Sequence, residues 1–319
     1  MHVLAVYDDE SLVGIAPWYV EHSFAKGSVI RPLGDGHVCT DHLSLVGRPA
    51  DAGRVAASVA DYLVANQCQW NRLELAAVDE HDVPLSRLVG ELESRDCLAS
   101  RRKTGNCWVL DLPGSWSEFM NVISQSHRRQ LRRARETQID TYRSRWHRVR
   151  HLDELKQAWR VLVDLHQRRR TGLGEPGCFA SRTFHDFHRD VVERLLAAGQ
   201  LRLSWAELDG KPFTAEYHLA GPDTVYVYQS GMDTTRLHDS PGRLAYLLAI
   251  EQAIADGFQH FDFLRGDEHY KAHWRARPTA QIDYCVFPNR RLAHLRGRLA
   301  MAGSSLRDWM KQGLAATRR

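Results

Sequence analysis

Between residues 262 and 274 the chain reads Asp262-Phe-Leu-Arg-Gly-Asp-Glu-His-Tyr-Lys271, then Ala272, His273 and Trp274. Seven ionisable side chains and a tyrosine stand in the twelve positions 262–273. A carboxylate among Asp262, Asp267 and Glu268 can take a proton from an amine or hydroxyl, and Tyr270 can return one to a leaving group. Arg265 and Lys271 can hold an anionic substrate or an oxyanion. A surface ion-pair cluster would use the same residues, so both readings stand at this point. Further back, Ser240-Pro-Gly-Arg243-Leu244 precedes an apolar helical stripe. A helix start offers unpaired N–H groups to an anion, Gly242 lets a phosphate approach the backbone, and Arg243 adds a cation. The same residues also begin ordinary helices. Glu216 interrupts an apolar strand pattern and is a secondary base candidate. Asp41 and His42 occupy the matching zone of the first half, where an Asx turn is the alternative.

Other chemistries lack their residues. His185-x-x-His188 and His269-x-x-x-His273 have ligand-like spacing but no third plainly placed ligand, so no metal is expected. Gly34-x-Gly36 lacks the third glycine of a dinucleotide fingerprint, and no G-x-S-x-G elbow occurs. The six cysteines form no C-x-x-C, which fits reduced thiols and a cytoplasmic protein. No secretion signal and no apolar run of ~20 residues is present.

The elements that must position these residues follow from periodicity. The spacing predicts a hairpin over 3–20, strands over 42–46, 72–76 and 107–112, and helices over 53–65 and 84–94. Ser115 and Glu118 form a capping-box pattern that starts a helix, and this helix continues into Arg128, Arg129, Arg132, Arg133 and Arg135. Two more helical stripes run to Gly199. The second half then gives a hairpin over 201–219, a strand over 224–230, a helix over 242–256 and strands over 260–264 and 281–287. The order hairpin, strand, helix, strand therefore occurs twice, which predicts two copies of one α/β unit.

The catalytic run Asp262–Lys271 with Trp274 resembles the terminal signature of the CelD/BcsL-type acetyltransferases of the GNAT superfamily. Tyr228-Gln229-Ser-Gly-Met-Asp233, Ser240–Leu244, Glu175-Pro-Gly-Cys-Phe179, Leu12–Pro17, Cys39-Thr-Asp41 and Arg128–Ala134 share the likeness. His269 stands where that pattern has Pro. The resemblance spans roughly residues 3–288 and extends to the FemABX peptidyltransferases, which carry two such units. It implies a mixed α/β, tandem GNAT-like acyl-CoA N-acyltransferase fold. It also implies four segments: a first unit over 1–114, truncated at its start; a helical connector over 115–198; a catalytic unit over 199–288; and a basic tail over 289–319. The expected activity is acyl transfer from acetyl-CoA or another acyl-CoA to the nitrogen or oxygen of a small-molecule or sugar acceptor in envelope or exopolysaccharide metabolism. Gln229, Ser240, Gly242, Arg243 and Leu244 would bind the acyl-CoA. Asp262, Asp267, Glu268, Tyr270, Lys271 and Glu216 would be catalytic, and Asp41, Arg265 and Trp274 would hold the acceptor.

Two alternatives stay open: a FemX-like transferase using aminoacyl-tRNA, and a non-enzymatic GNAT-like binding protein. Forty-three per cent hydrophobic and 26% charged residues in 319 exclude wholesale disorder. A net charge of +4 is too small to define a nucleic-acid binder, so tRNA is expected as a partner only under the first alternative. Arg128, Arg132 and Arg135 would be its contact. The tail places Leu292, Leu295, Leu299, Leu306 and Trp309 among eight basic residues, which predicts a packed helix or peripheral contact with a membrane surface.

Overall fold

The computed structural model describes residues 1–36 and 38–302. Leu306 and Trp309 lie outside the described residues. The chain divides into two compact units, one made of residues 1–105 and 280–319, the other of residues 106–279.

In the first unit, β1 (His2–Asp8) and β2 (Ser11–Ser23) form the expected hairpin. The next strand is β3 (Gly27–Pro32), antiparallel to β2. The expected strand at 42–46 is instead a loop, of which only β4 (Val46–Gly47) touches β2. Pattern reading missed β3 because Gly27 and Pro32 leave only Val29 and Ile30 as an apolar signal. Helix α1 (Ala52–Ala65) returns the chain to β5 (Arg72–Asp79), parallel to β3. Helix α2 (Val83–Ser94) follows, its first turn closed by the Asp82 carboxylate on the Leu85 N–H. Strand β6 (Leu98–Asp111) begins in this unit and ends in the other. The last strand, β12 (Arg277–Phe287), pairs with β5. Val55, Val59 and Leu63 of α1 and Leu85, Leu88 and Leu92 of α2 share one core with Trp18, Ile30, Leu73 and Leu75.

The second unit opens with α3 (Trp116–Val122), capped by Ser115 as expected, the Glu118 N–H donating to its hydroxyl. The basic stretch does not continue this helix. Ile123 is extended, Ser124 caps anew, and α4 (Gln125–Ala134) is a separate helix. Strand β7 (Ser144–Arg148), too polar to show as a strand, pairs with β8 (Leu201–Leu208). Between them lie α5 (Leu152–Gly172) and α6 (Arg182–Ala197). Strand β9 (Lys211–Ala220) pairs with β8 and with β10 (Thr224–Met232). Helix α7 (Pro241–Ala255) then leads to β11 (His260–Arg265), which is parallel to β10 and antiparallel to β6. A short helix α8 (His269–His273) follows. The hairpin, strand, helix, parallel strand series is thus present in each unit. In the first its third strand is β3.

Helix α5 lies so close to β10 that the contact requires glycine. A Cβ on Gly231 would stand 2.7 Å from the His166 nitrogen and 3.0 Å from the Leu162 carbonyl oxygen. Beside that contact, His188 of α6 is buried with Nδ1 3.2 Å from the Tyr217 hydroxyl and Nε2 2.9 Å from the Tyr228 hydroxyl. Both nitrogens of the His185-x-x-His188 pair's buried member are therefore taken by phenols. Among the described residues no group of three His, Cys, Asp or Glu could hold a metal ion. Burial lowers the His188 pKa from 6.5 to about 4. The unfolded chain therefore takes up a proton between pH 6.5 and 4 that the native chain refuses. The His188 contribution is complete above pH 6.5 and is lost as the pH falls toward 4. Urea unfolding at pH 7 and pH 5 should show the wild type losing more stability on acidification than His188→Gln does; equal losses would contradict the assignment.

Candidate active site

Strands β10 and β11 pair at only three positions, Thr224 with His260, Val225 with Phe261 and Tyr226 with Asp262. Both then break register. β10 bulges at Tyr228 against β9, and β11 bulges between Asp262 and Arg265 against β6. A bulge bends its strand and increases local twist, so the two part. In the β11 bulge Leu264 takes φ +57°, and its N–H donates to the Asp262 carboxylate at 2.7 Å. Asp262 itself is 2% exposed.

A cavity of about 380 Å³ lies at the start of α7 in this second unit. Its walls include Ser230 and Met232 of β10, Ser240, Gly242, Arg243 and Tyr246 of α7, and Arg169 of α5. Tyr270, His273 and Trp274 from α8 and its end, with His127 and Gln130 of α4, close the rest. No aspartate or glutamate is among the lining residues. Ser240 adopts φ +57°, Pro241 supplies no N–H, and the Arg243 and Leu244 N–H groups both return to the Ser240 carbonyl. Among the described residues the Gly242 amide alone in this turn has no backbone acceptor. Leu244 is buried in the core and is not part of the wall. Among the described residues the Arg243 guanidinium hydrogen-bonds only to the Ser240 hydroxyl, at 3.1 Å. Gln229 is directed to His166, with which its side chain hydrogen-bonds.

Behind the cavity wall lies Glu216, 2% exposed. It stands opposite Ser230 across the β9–β10 ladder. Directly opposed residues project from the same face, about 5 Å apart at Cβ. Ser230 lines the cavity, so Glu216 is on the cavity side of the sheet. Burial raises its carboxyl pKa, and the His218 Nε2 at 3.0 Å partly opposes this. Burial chiefly raises the phenol pKa values of Tyr246 and Tyr270; the Glu216 charge adds to this at Tyr246, and the charges of Glu268 and then Glu216 add to it at Tyr270. The two phenol oxygens are 3.2 Å apart and the rings stack at 5.6 Å. Trp274 meets His127 edge-on at 4.6 Å, and burial lowers the His127 pKa.

The remaining predicted residues build the turn beside the cavity. Lys271 is 2% exposed. Its ammonium donates to the carbonyls of Leu264, Arg265 and Gly266 at 3.1, 2.9 and 2.9 Å, and pairs with the Glu268 carboxylate at 2.9 Å. Gly266 has φ +113°, and a Cβ there would stand 2.6 Å from the Glu268 carboxylate. Asp267 accepts from the Asn106 amide at 2.8 Å and the Trp108 indole at 3.0 Å. The side chain of Arg265 is exposed. Asp41 lies in a loop of the first unit and is not among the cavity residues. The structure thus brings Tyr270, Trp274, Ser240, Gly242 and Arg243 to one cavity, with Glu216 behind it. Arg169, His127, Gln130 and Tyr246 line the same cavity and were not predicted. Arg169 was hidden in an Arg168–Arg170 run, and its position three residues after the buried His166 was the available signal.

Residues 125–272 match the family model of the acetyltransferase (GNAT) domain. This match, which covers a little under half of the chain, supports an acyltransferase. No curated protein matches it in sequence. Among solved structures it is similar to FemX, with a TM-score of 0.65 and 10% identity over 92% of this chain and 89% of that one. It is also similar to the C-terminal domain of a putative lysylphosphatidylglycerol synthetase from Agrobacterium fabrum, at TM-score 0.54 and 10% identity over 90% and 89%. L-PGS from Bacillus licheniformis gives 0.53 and 10% over 90% and 86%.

Replacing Lys271 by Met keeps most of the stem's volume and removes the only ammonium serving three carbonyls. Lys271→Met should cost about 3 kcal/mol in urea unfolding, since each buried group left unpaired costs about 1–3 kcal/mol. A loss below about 0.5 kcal/mol would show that the clasp does not hold the turn.

Proposed function

We propose that the second unit transfers an acyl group from an acyl-CoA to a small amine- or hydroxyl-bearing acceptor by direct attack on the thioester. One observation carries this: a cavity free of acidic side chains lies at the first turn of α7, walled by Ser230 and Met232 of β10 beyond its last pairing with β11, with a buried carboxyl behind its wall. The residues suit the donor. Among the described residues no atom crowds Gly242, and the nearest neighbour to an added Cβ is Met232 at 3.6 Å. The Gly242 amide and the Arg243 guanidinium are placed to hold the diphosphate, and Arg169 adds a second positive charge. This first turn is not a glycine-rich cradle, so the side chains carry more of the anion binding here than backbone amides do.

The acyl-CoA supplies an activated carbonyl with a thiolate leaving group. The acceptor nitrogen or oxygen bonds to that carbonyl carbon, the C–S bond breaks, the acceptor loses a proton and the thiolate gains one. Glu216, with its raised pKa, receives the acceptor's proton, and after Tyr270 has protonated the thiolate that proton returns to Tyr270 by way of Tyr246, whose hydroxyl is 3.2 Å away, so that both groups are restored. Tyr270 stays protonated over the neutral range and donates toward the thiolate. Asp262, Lys271, Glu268 and Asp267 fix the bulge and turn that present Tyr270 and Trp274, and so act as positioning residues. The run Asp262–Lys271 supports kinship with the CelD/BcsL-type enzymes, and with it a cytoplasmic enzyme and a sugar or envelope-precursor acceptor. FemX-like use of aminoacyl-tRNA is the competing donor class.

Thermal-shift titration separates the donors: acetyl-CoA should raise Tm and charged tRNA should not, and the reverse result would assign the FemX-like donor. With acetyl-CoA and an acceptor found by screening, Glu216→Gln should lower turnover by ~10²–10⁴-fold. Wild-type turnover should rise with pH through a midpoint above the ordinary carboxylate value, because only ionised Glu216 takes a proton. Loss of that limb in Glu216→Gln supports the base assignment, and its persistence would remove Glu216 from the mechanism.

A further inference from the structure

The helix over 291–302 packs on the first unit by its small residues and presents its leucines outward. Ala293 is buried. Gly297 lies so close to the unit that a Cβ would stand 2.8 Å from the Phe287 ring and 2.9 Å from Leu98. Arg290, at the helix start, is tied down by donating to the Trp70 carbonyl at 2.7 Å. Leu292, Leu295 and Leu299 are 61%, 56% and 64% exposed. Leucines on a helix packed against a core ordinarily face that core, so this inversion is a property of the outward face.

At 3.6 residues per turn the three leucines fall within roughly 60° of one another. Arg291 and Arg298 flank the stripe on one side and Arg296 on the other. All three arginines are exposed, and none has a carboxylate partner among the described residues. No acidic residue occurs between 289 and 302. The face is therefore an apolar strip edged on both sides by uncompensated positive charge.

We infer that the outward face of helix 291–302 docks on an anionic lipid surface, the leucines entering the acyl boundary while Arg291, Arg296 and Arg298 meet the headgroups. A protein partner would need acidic groups placed on both flanks of an apolar groove, whereas an anionic bilayer supplies both features everywhere along its surface. The charge edging also argues against a second copy of the chain, since pairing two such faces brings like charges together. The helix adds lateral binding only: no helix among the described residues is long and apolar enough to cross a membrane.

Co-sedimentation of the full chain with vesicles tests this. Vesicles of phosphatidylcholine with phosphatidylglycerol should bind the protein, and phosphatidylcholine alone should bind it at least tenfold less. Binding to the anionic vesicles should fall with added salt. The triple variant Leu292→Gln, Leu295→Gln, Leu299→Gln should lose tenfold or more of the binding with an unchanged Tm, as the residues are exposed. Arg291→Gln with Arg296→Gln and Arg298→Gln should abolish the preference for anionic vesicles. Equal pelleting of the leucine variant and wild type would overturn the proposal. So would a concentration-dependent dimer, seen by light scattering, that the leucine variant abolishes, because the occupant would then be a second copy. None of these readouts depends on acyl transfer.

Discussion

The second unit is organised by the point at which β10 and β11 stop sharing hydrogen bonds. Backbone N–H and C=O groups that leave a ladder must be satisfied elsewhere. On β11 the answer is local. The Asp262 carboxylate takes the Leu264 N–H, and Lys271 takes the next three carbonyls. A buried ammonium is tolerable only with its donors filled, and here the carbonyls and Glu268 fill them. On β10 the edge facing β11 beyond Tyr226 borders the gap, while the other edge stays paired with β9. The divergence therefore leaves strand edge on β10 beside Ser230 and Met232, which line the cavity.

That constraint also explains why the charged residues near the cavity divide into two groups. Those on the β11 side of the gap are consumed in building the turn: Asp262, Asp267, Glu268 and Lys271 all have protein partners. Those that border the cavity from α5 and α7 are not. Among the described residues Arg243 has only a hydroxyl and Arg169 has no acidic partner. Glu216 sits between the groups, ionisable but sealed behind Ser230 and the stacked tyrosines, which suits proton transfer better than substrate binding.

Much of this was legible in the sequence, and the exceptions have physical reasons. The α7 stripe, the Gly257 stop and the charged run Asp262–Lys271 were visible because periodicity and punctuation agree there. Strand β3 was missed because its two apolar residues are bracketed by Gly27 and Pro32, and β7 because Ser144-Arg-Trp-His-Arg148 lies at an edge where polar residues suffice. The break between α3 and α4 was hidden because Ser124 follows an apolar Ile123 with no Gly or Pro to mark it. At the site, the sequence showed which residues cluster but not which way they face. Lys271 reads as a substrate anchor until its three carbonyl partners are seen. Arg169 carries only a weak signal, its spacing from His166, because it is the packing of α5 on β10, where Gly231 permits close approach, that brings it to the cavity.

Hydrogen–deuterium exchange with and without acetyl-CoA tests the central claim most directly, that the gap between β10 and β11 at the start of α7 is the acyl-donor site. Acetyl-CoA should slow exchange in peptides covering 229–232 and 241–244 and leave those of β7 and β8 unchanged. Protection confined to the first unit, or none at saturating acetyl-CoA, would contradict it.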